Sequence, residues 1–301
     1  MKNFIKSSFI KFKKINISPY LFLAPFMLLF GAMLVLPLFY ALDLSLFRDT
    51  MVRGSIFVGF ANYTNILEDP GLWLGLKHVL LFGVVQVPIM LALALGLALI
   101  LDSGVVWFRN FFRIAFFLPY AVPSVIGALI WAYIYGPSFG LFTGIGNAIG
   151  VSMPNFLGHN LMLASLGNVV TWEYTGYNMI ILYSALQAVP HDVIEASWLC
   201  GSKPWQTALY IRVPLIGQAV LLTVIFSIIG TLQLFNEPMM FRPLAPDVIN
   251  STYTPNLYAY ALAFTDQRLN ASAALSFILG AIVAIFSYVF MLAARGRSRA
   301  I

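Results

Sequence analysis

The chain has 301 residues, of which 60% are hydrophobic and only 9% are charged, and its formal net charge is +6. A soluble domain carries about a quarter charged residues, so this chain has too little charge to cover a water-exposed surface. Its basic residues flank apolar runs and form no single patch, which argues against a nucleic-acid-binding protein. The one cysteine, Cys200, excludes an internal disulfide.

Six apolar runs are long enough to cross a bilayer. Each has about 21–26 residues, and at 1.5 Å per residue the shortest covers about 30 Å, the thickness of the hydrocarbon core. The runs are continuously apolar, which favours helices over the alternating strands of a membrane barrel. The first run is too long for the apolar part of a cleaved signal peptide. The predicted spans are 20–42, 79–101, 114–135, 161–186, 215–235 and 273–294.

Lysine and arginine residues set the predicted orientation. With the N-terminus inside, twelve of the 17 basic residues fall in cytoplasmic segments, so both termini are expected in the cytoplasm. The predicted organisation is an N-terminal segment 1–19, a six-helix domain 20–294 and a tail 295–301. Pro119 and Pro123 lie inside the third span and Pro37 inside the first, where a proline bends a helix. The bends in the third span either serve packing alone or open a cavity.

The segment 187–214, between the fourth and fifth spans, is predicted to form two short helices on the cytoplasmic side. Pro190 suits the first turn of the first helix, and Gly201 can end it in a left-handed conformation. Ser202 is a suitable cap for the second helix. The expected apolar face of the first helix consists of Ile194, Trp198 and Leu199.

This segment resembles the signature loop of the permease subunits of binding-protein-dependent ABC importers. In that family the loop reads Glu-Ala-Ala, three residues, Gly, nine residues and Ile-x-Leu-Pro, and every spacing matches here. Ser197 stands in place of the second alanine and Val213 in place of the leucine. The residues that the resemblance assigns to coupling are Glu195, Ala196, Ser197, Gly201, Ile211 and Pro214.

The resemblance implies a fold, partners and a location. The first short helix would be a coupling helix that docks in a cleft on a cytoplasmic ATPase, with Glu195 in a charged contact. The expected partners are a second permease subunit, two copies of the ATPase and an extracytoplasmic sugar-binding protein. ATP and Mg would be bound by the ATPase, because this chain has no phosphate-binding glycine-rich loop. No cofactor, metal site or catalytic residue is expected, and the location is the bacterial or archaeal cytoplasmic membrane.

Other stretches are similar to the first permease subunit of sugar importers of the maltose and oligosaccharide type. They are 18–25, 59–63 and 118–124, so the resemblance covers nearly the whole chain. It implies that the chain forms half of a pathway for a di- or oligosaccharide. The matching sugar-contact positions are Tyr120, Ser124, Trp172, Gly176, Ser227, Thr231 and Leu234.

Polar groups inside spans support a site in the same region, because they are costly in lipid. Glu173 is the one acid deep in a predicted span, and aromatic residues such as Tyr177 surround it. Tyr120 and Ser124 are spaced i, i+4 and are expected on one helix face. The alternative role for each polar side chain is to hold helices together, and hydroxyl groups can instead bond within their own helix.

Three other functions stay open. A permease for glycerol-phosphate-type or polyol substrates would need basic residues in its pathway for the phosphate, and none lies deep in a predicted span. An ion-coupled carrier that works alone could use Glu173 but would not need segment 187–214. An intramembrane enzyme would need a nucleophile with its base or a metal-ligand set, and the spans contain neither.

Overall fold

The computed structural model describes residues 18–50 and 54–298, which are mostly helical. Of the predicted terminal segments, residues 1–17 and 299–301 lie outside the described residues. The longer helices are α1 (Ser18–Phe30), α2 (Leu36–Ser45), α3 (Ala61–Glu68), α4 (Pro70–Asp102), α5 (Arg109–Ala121), α6 (Ser124–Ile134), α7 (Leu141–Ile149), α8 (Met162–Gln187), α9 (His191–Leu199), α12 (Gly217–Leu232) and α15 (Leu269–Ser298). The short helices are α10 (Pro204–Gln206), α11 (Val213–Leu215), α13 (Asn236–Phe241) and α14 (Pro255–Tyr260).

Irregular turns and one small sheet complete the architecture. π-helical turns occupy Gly31–Val35, Thr207–Arg212 and Ala261–Thr265, and a 3-10 turn covers Arg242–Leu244. The strands β1 (Phe47–Thr50) and β2 (Gly54–Phe57) pair in antiparallel register, with Phe47 opposite Phe57. The residues of this hairpin follow the first span, where polar Arg48 and Asp49 end the apolar run. The described residues are otherwise mostly helical, in line with the predicted all-α membrane fold.

Within residues 18–50 and 54–298, four helical stretches are long and apolar enough to cross a membrane. A fifth is present if α5 and α6 form one broken span. Together they correspond to the first, second, third, fifth and sixth predicted spans. The four are Pro19–Ser45, Pro70–Asp102, Gly217–Leu244 and Leu269–Leu292.

Helix α8 coincides with the fourth predicted span in length but is less apolar than the others. It has 26 residues and packs against α4, α5, α6, α12 and α13. Its polar side chains, such as Glu173 and Asn178, are buried against these neighbours. A helix surrounded by protein does not need a fully apolar surface, which explains its composition.

The third predicted span is broken. Helix α5 ends at Ala121, α6 begins at Ser124, and the two axes differ by 92°. Val122 is extended, with φ −76° and ψ 130°, because the ring of Pro123 disfavours a helical conformation at the preceding residue. The prediction that Tyr120 and Ser124 share one helix face was wrong, since the break lies between them.

The fifth predicted span is also interrupted. Helix α12 ends at Leu232, and α13 begins at Asn236 after a short irregular segment in which Phe235 has φ −144°. The helical path then continues through Leu244, beyond the predicted end at residue 235. The predicted boundary was therefore too short.

The beginning of α4 is fixed by Asp69. One carboxylate oxygen of Asp69 accepts a hydrogen bond from the backbone N–H of Gly71 at 2.7 Å and so caps the helix. The other accepts a hydrogen bond from the phenol of Tyr258 in α14. Burial raises the pKa of Tyr258 to about 12, so this phenol stays a donor at neutral pH. The two hydrogen bonds of Asp69 therefore fix the first turn of α4 against α14.

Buried side chains form three apolar clusters. The first surrounds Leu166 and Phe241, and the second surrounds Ala98 and Leu182. A third packs α14 and α15 against the beginning of α4. Helices α4 and α8 pass through the first and then the second cluster, and polar residues separate the two clusters along both helices.

Candidate substrate cavity and coupling loop

A cavity of about 410 Å³ lies between the first and second apolar clusters. Gln86, at the middle of α4, and Tyr174, at the middle of α8, both line it. A cavity of several hundred Å³ with mixed lining is typical of a small-ligand site. The lining residues are Phe82, Gln86, Met90, Tyr120, Val170, Tyr174, Tyr177, Asn178, Phe226, Ser227, Gly230, Thr231, Gln233, Leu234, Phe235, Asn236 and Glu237.

Five of the nine predicted substrate residues line this cavity. They come from three separate stretches of chain, which the fold brings together. The five are Tyr120, Tyr177, Ser227, Thr231 and Leu234.

Three tyrosines form an aromatic wall on one side of the cavity. The rings of Tyr120 and Tyr177 stack with centroids 4.6 Å apart. Tyr174 meets Tyr120 edge-on at 5.7 Å. Their faces offer apolar surface to the C–H groups of a ring-shaped ligand, and their hydroxyl groups can donate or accept hydrogen bonds.

Ser124 contacts the cavity wall indirectly. Its hydroxyl accepts a hydrogen bond from the side-chain amide of Asn236 at 2.7 Å, and Asn236 lines the cavity. The bond joins the start of α6 to the start of α13, so it connects the two helix breaks. Ser124 therefore orients a cavity residue across the gap between two broken helices.

The other three predicted substrate residues lie next to the cavity but do not line it. Trp172 packs edge-on against Trp131 of α6, with ring centroids 5.9 Å apart. Gly176 faces the backbone of Phe116 in α5. Glu173 is buried, and its Oε2 atom has no hydrogen-bond partner among the described residues.

Glu173 is not the only buried acid in this region. Glu237, in the first turn of α13, is also buried, lines the cavity and lies within electrostatic range of Glu173. The positive end of the α13 dipole favours an acid at that position. Glu237 lies beyond the predicted end of the fifth span at residue 235, because the break after Leu232 and the continuing helix were not visible in the apolar pattern.

Two amides that are not among the nine predicted substrate residues, Gln86 and Asn178, also line the cavity. The Oε1 atom of Gln86 is buried without a hydrogen-bond partner among the described residues, and the residue itself lines the cavity. Asn178 donates to the backbone carbonyl of Tyr174 at 3.0 Å. Gln86 could have been found from its position, since it is a polar residue in the middle of the apolar run 79–101.

The coupling-loop prediction places a short helix where the structure has α9. Gly201 follows it with φ +82°, the left-handed conformation expected of a helix-ending glycine. Glu195 and Ala196 are exposed, and Glu195 makes no hydrogen bond or ion pair with any described residue. Further along, Ile211 is half-buried and Pro214 exposed.

The apolar residues of α9 lie on two different sides of the helix. Ile194 is buried in the second apolar cluster, whereas Leu199 is 91% exposed and Trp198 is also exposed. Ile194 and Trp198 are one turn apart and line a common pocket, whereas Leu199 points away from it, so the expected three-residue face was only partly correct. Ile194 attaches α9 to the helices, and Trp198 and Leu199 are free for another protein.

Hydroxyl groups join the two halves of the loop. Ser197 is buried, and its hydroxyl lies 3.0 Å from that of Thr207, which is 2.8 Å from that of Ser202. Ser202 also donates to the backbone carbonyl of Ser197 at 2.8 Å. Ser202 does not cap the second short helix as predicted, because Lys203 takes that position. The departure from alanine at Ser197 therefore has a structural role.

Asp102, the last residue of α4, joins the two ends of the same loop. Its side chain is 2% exposed and forms an ion pair with Arg212. It also accepts a hydrogen bond from the side-chain amide of Gln187, the last residue of α8. Burial lowers the pKa of Arg212. Sequence reasoning missed this cluster because its members are far apart in the chain.

Comparisons with known proteins identify the family of the chain. The sequence model of the family described as binding-protein-dependent transport system inner membrane component matches residues 90–301. The chain is 32% identical over 291 residues to the lactose transport system permease protein LacF of Rhizobium radiobacter, covering 94% of this chain and 95% of that protein. It is 27% identical to the arabinooligosaccharides transport system permease protein AraP of Bacillus subtilis, covering 90% and 87%.

A solved structure shares the fold. A chain of a bacterial ABC transporter involved in the import of the acidic polysaccharide alginate aligns with a TM-score of 0.76 and 19% identity. The alignment covers 94% of this chain and 96% of that one. The same kind of transporter, in complex with an alginate pentasaccharide-bound periplasmic protein, aligns with a TM-score of 0.75.

Proposed function

This chain belongs to the family of binding-protein-dependent transport system inner membrane components, and we propose that it is a permease subunit forming half of an ATP-driven pathway for a di- or oligosaccharide. As a member of that family it is a multi-pass component of the cytoplasmic membrane and not a catalytic subunit. The observation that carries the proposal is the cavity halfway along α4 and α8, lined by tyrosines and amides.

The lining of the cavity supports a sugar as the substrate. The stacked rings of Tyr120 and Tyr177 suit the C–H faces of a saccharide, and the unpartnered oxygen of Gln86 suits a hydroxyl donor. No lysine or arginine is among the lining residues, which disfavours a glycerol-phosphate substrate. The relatives named for lactose and arabino-oligosaccharide transport support the same class.

We infer six spans with both termini in the cytoplasm. In this arrangement α8 is the fourth span, and the pair of α5 and α6 is the third. The 26 residues of α8 extend over about 39 Å, enough to cross the hydrocarbon core. A broken helix at membrane depth is tolerated where it lines a cavity, as α5 and α6 do through Tyr120.

The exposed surface of α9 supports docking of a separate ATPase. Glu195 is free of partners within the described residues, and Trp198 and Leu199 extend outward beside it. Exposed aromatic and apolar side chains mark an interaction surface, and a charged residue beside them can pair with an opposite charge on the partner. Movement of a docked ATPase dimer would shift α9 and tilt the helices, a rigid-body change between two orientations of the cavity. A second permease subunit and a binding protein complete the proposed assembly.

Co-purification with a tagged chain tests this proposal. The wild-type chain is expected to bring down an ATPase, a second permease subunit and an extracytoplasmic protein that binds radiolabelled disaccharide. Glu195→Ala is expected to lose the ATPase and sugar uptake with membrane insertion unchanged, because it removes the exposed carboxylate that lies one turn from Trp198 and Leu199. Gly201→Asp is expected to do the same, because its φ of +82° strains a residue with a side chain.

Asp192→Asn is the matched control, because it removes an exposed acid one turn earlier on the same helix. It is expected to keep both the ATPase and uptake. Full uptake by Glu195→Ala, or transport by the chain purified alone and driven by an ion gradient, would contradict the proposal and favour the lone carrier.

A further inference from the structure

The three longest helices that line the cavity end or begin close to a single carboxylate. Helix α4 ends at Asp102 itself, and α8 ends at Gln187, which donates to it. Arg212, which pairs with it, lies five residues before the beginning of α12. The same three helices supply Gln86, Asn178 and Thr231 to the cavity. The side chain of Asp102 thus connects the ends of α4, α8 and α12, the three longest helices that line the cavity.

The position of Asp102 is unfavourable unless its partners are present. An acid at the C-terminal end of a helix is opposed by the negative end of the helix dipole, and burial in a low-dielectric site raises that cost. The guanidinium of Arg212 and the amide of Gln187 offset it. The carboxylate is therefore stable only while both ends of the loop stay attached to α4.

The loop held in this way carries α9. Gln187 and Arg212 lie on either side of α9 along the chain, and Ile194 anchors the middle of α9 in the second apolar cluster, which also contains residues of α4 and α8. Gln86 lies 16 residues before Asp102 on the same helix, a distance of about 24 Å. Displacement of α9 can therefore reach the middle of the cavity through one continuous helix.

We propose that Asp102 is a positioning residue that joins both ends of segment 187–214 to α4 and transmits the movement of α9 to the helices lining the cavity. This inference rests on the proposed function, because it requires an ATPase docked on α9. The carboxylate holds the loop throughout the cycle and makes no contact with substrate or nucleotide.

Distance measurements on the full complex test this role. Spin labels are placed at Val84→Cys in α4 and Tyr288→Cys in α15, two exposed positions, in a Cys200→Ser chain. The distance between them is measured without nucleotide and after trapping with ATP and vanadate. The chain with the native Asp102 is expected to show a shift, and D102N is expected to lose it while ATP hydrolysis continues.

Three further variants make the test specific. D102E keeps the charge and is expected to keep the shift. Q187L leaves the ion pair between Asp102 and Arg212 intact, removes the hydrogen bond to Asp102 and is expected to reduce the shift. If D102N fails to assemble, the shift in Q187L is the test of the role of Asp102. D43N removes an exposed acid of α2 and is expected to behave as the native chain.

The outcomes separate the two proposals. An unchanged shift in D102N, or in Q187L where D102N does not assemble, overturns the role of Asp102. A native complex that hydrolyses ATP without any change in the distance between the spin labels also overturns this role, because α4 then does not follow α9. A native chain that assembles with no ATPase instead overturns the proposed function.

Discussion

Gly176 of α8 lies directly against the backbone carbonyl of Phe116 in α5, with no room for a side chain between them. Helices approach this closely in membranes where one of them presents a small residue. The contact brings α5, and with it Tyr120, up to Tyr177. Gly176 therefore has a packing role beside its predicted role as a sugar contact.

Gly176→Ala is expected to destabilise the chain by about 1–3 kcal/mol, because the added methyl group forces α5 and α8 apart. Thermal unfolding of the purified protein measures the loss. Gly280→Ala in α15 is the control, because a Cβ atom there meets nothing within 4 Å. It is expected to be neutral or slightly stabilising. Equal stability of the two variants would contradict the close approach.

The hydroxyl of Thr231 is expected to bind substrate. Thr231→Val removes this hydroxyl and keeps the shape of the side chain. The shape matters because the methyl group of Thr231 packs closely on Gly83 of α4: a Cβ atom added at Gly83 would lie 2.9 Å from the Thr231 methyl carbon. Loss of one hydrogen bond, about 1 kcal/mol, predicts a KM for uptake about fivefold higher. Initial uptake rates of the labelled disaccharide, measured in the assembled importer, give this value.

Thr223→Val is the matched control for that experiment. Thr223 is a buried residue of the same helix, outside the cavity, and its hydroxyl donates to the backbone carbonyl of Val220 at 2.8 Å. The same chemical change there is expected to leave KM unaltered. An equal rise in both variants would mean that the effect comes from the helix and not from the cavity.

Thr207 is expected to matter more than Ser197 for the coupling loop. Ser197→Ala leaves the bond between Thr207 and Ser202 in place, and alanine is the residue that the family motif has there, so uptake is expected to persist. The Thr207 residue is only 2% exposed, and its hydroxyl is the hydrogen-bond partner of both Ser197 and Ser202. Thr207→Val removes that shared partner. It is expected to cost about 1–3 kcal/mol and to lower uptake. Uptake assays on the two variants, with membrane levels of each measured, check this order.

The sequence predicted the long apolar helices because lipid imposes a simple rule. Each apolar run had to become a helix of bilayer length, and the helical character of α4 and α15 follows from that. The breaks after Ala121 and Leu232 follow a different rule. Pro123 indicated a bend but not its 92°. Pro238, in the first turn of α13, marks the break before Asn236, but it lies beyond the predicted end of the span at residue 235.

The cavity was predictable in part for the same reason. Ser227 and Thr231 were identified from the resemblance to sugar-importer permeases and as polar side chains within a span, and the structure places both in the cavity wall. Whether Trp172 faces the cavity or α6 depends on the packing of neighbouring helices, which one sequence does not reveal. The Asp102 cluster joins residues more than eighty positions apart, so it needed the fold.

The two helix breaks at the cavity have a consequence for how substrate range changes. Where a helix stops, backbone N–H and carbonyl groups are left without partners inside that helix. The ends of α5, α6, α12 and α13 bring such groups to the depth of Tyr120 and Asn236. Main-chain groups survive any exchange of side chains, so descendants of this protein can acquire new sugars by altering the wall while keeping a common set of donors and acceptors.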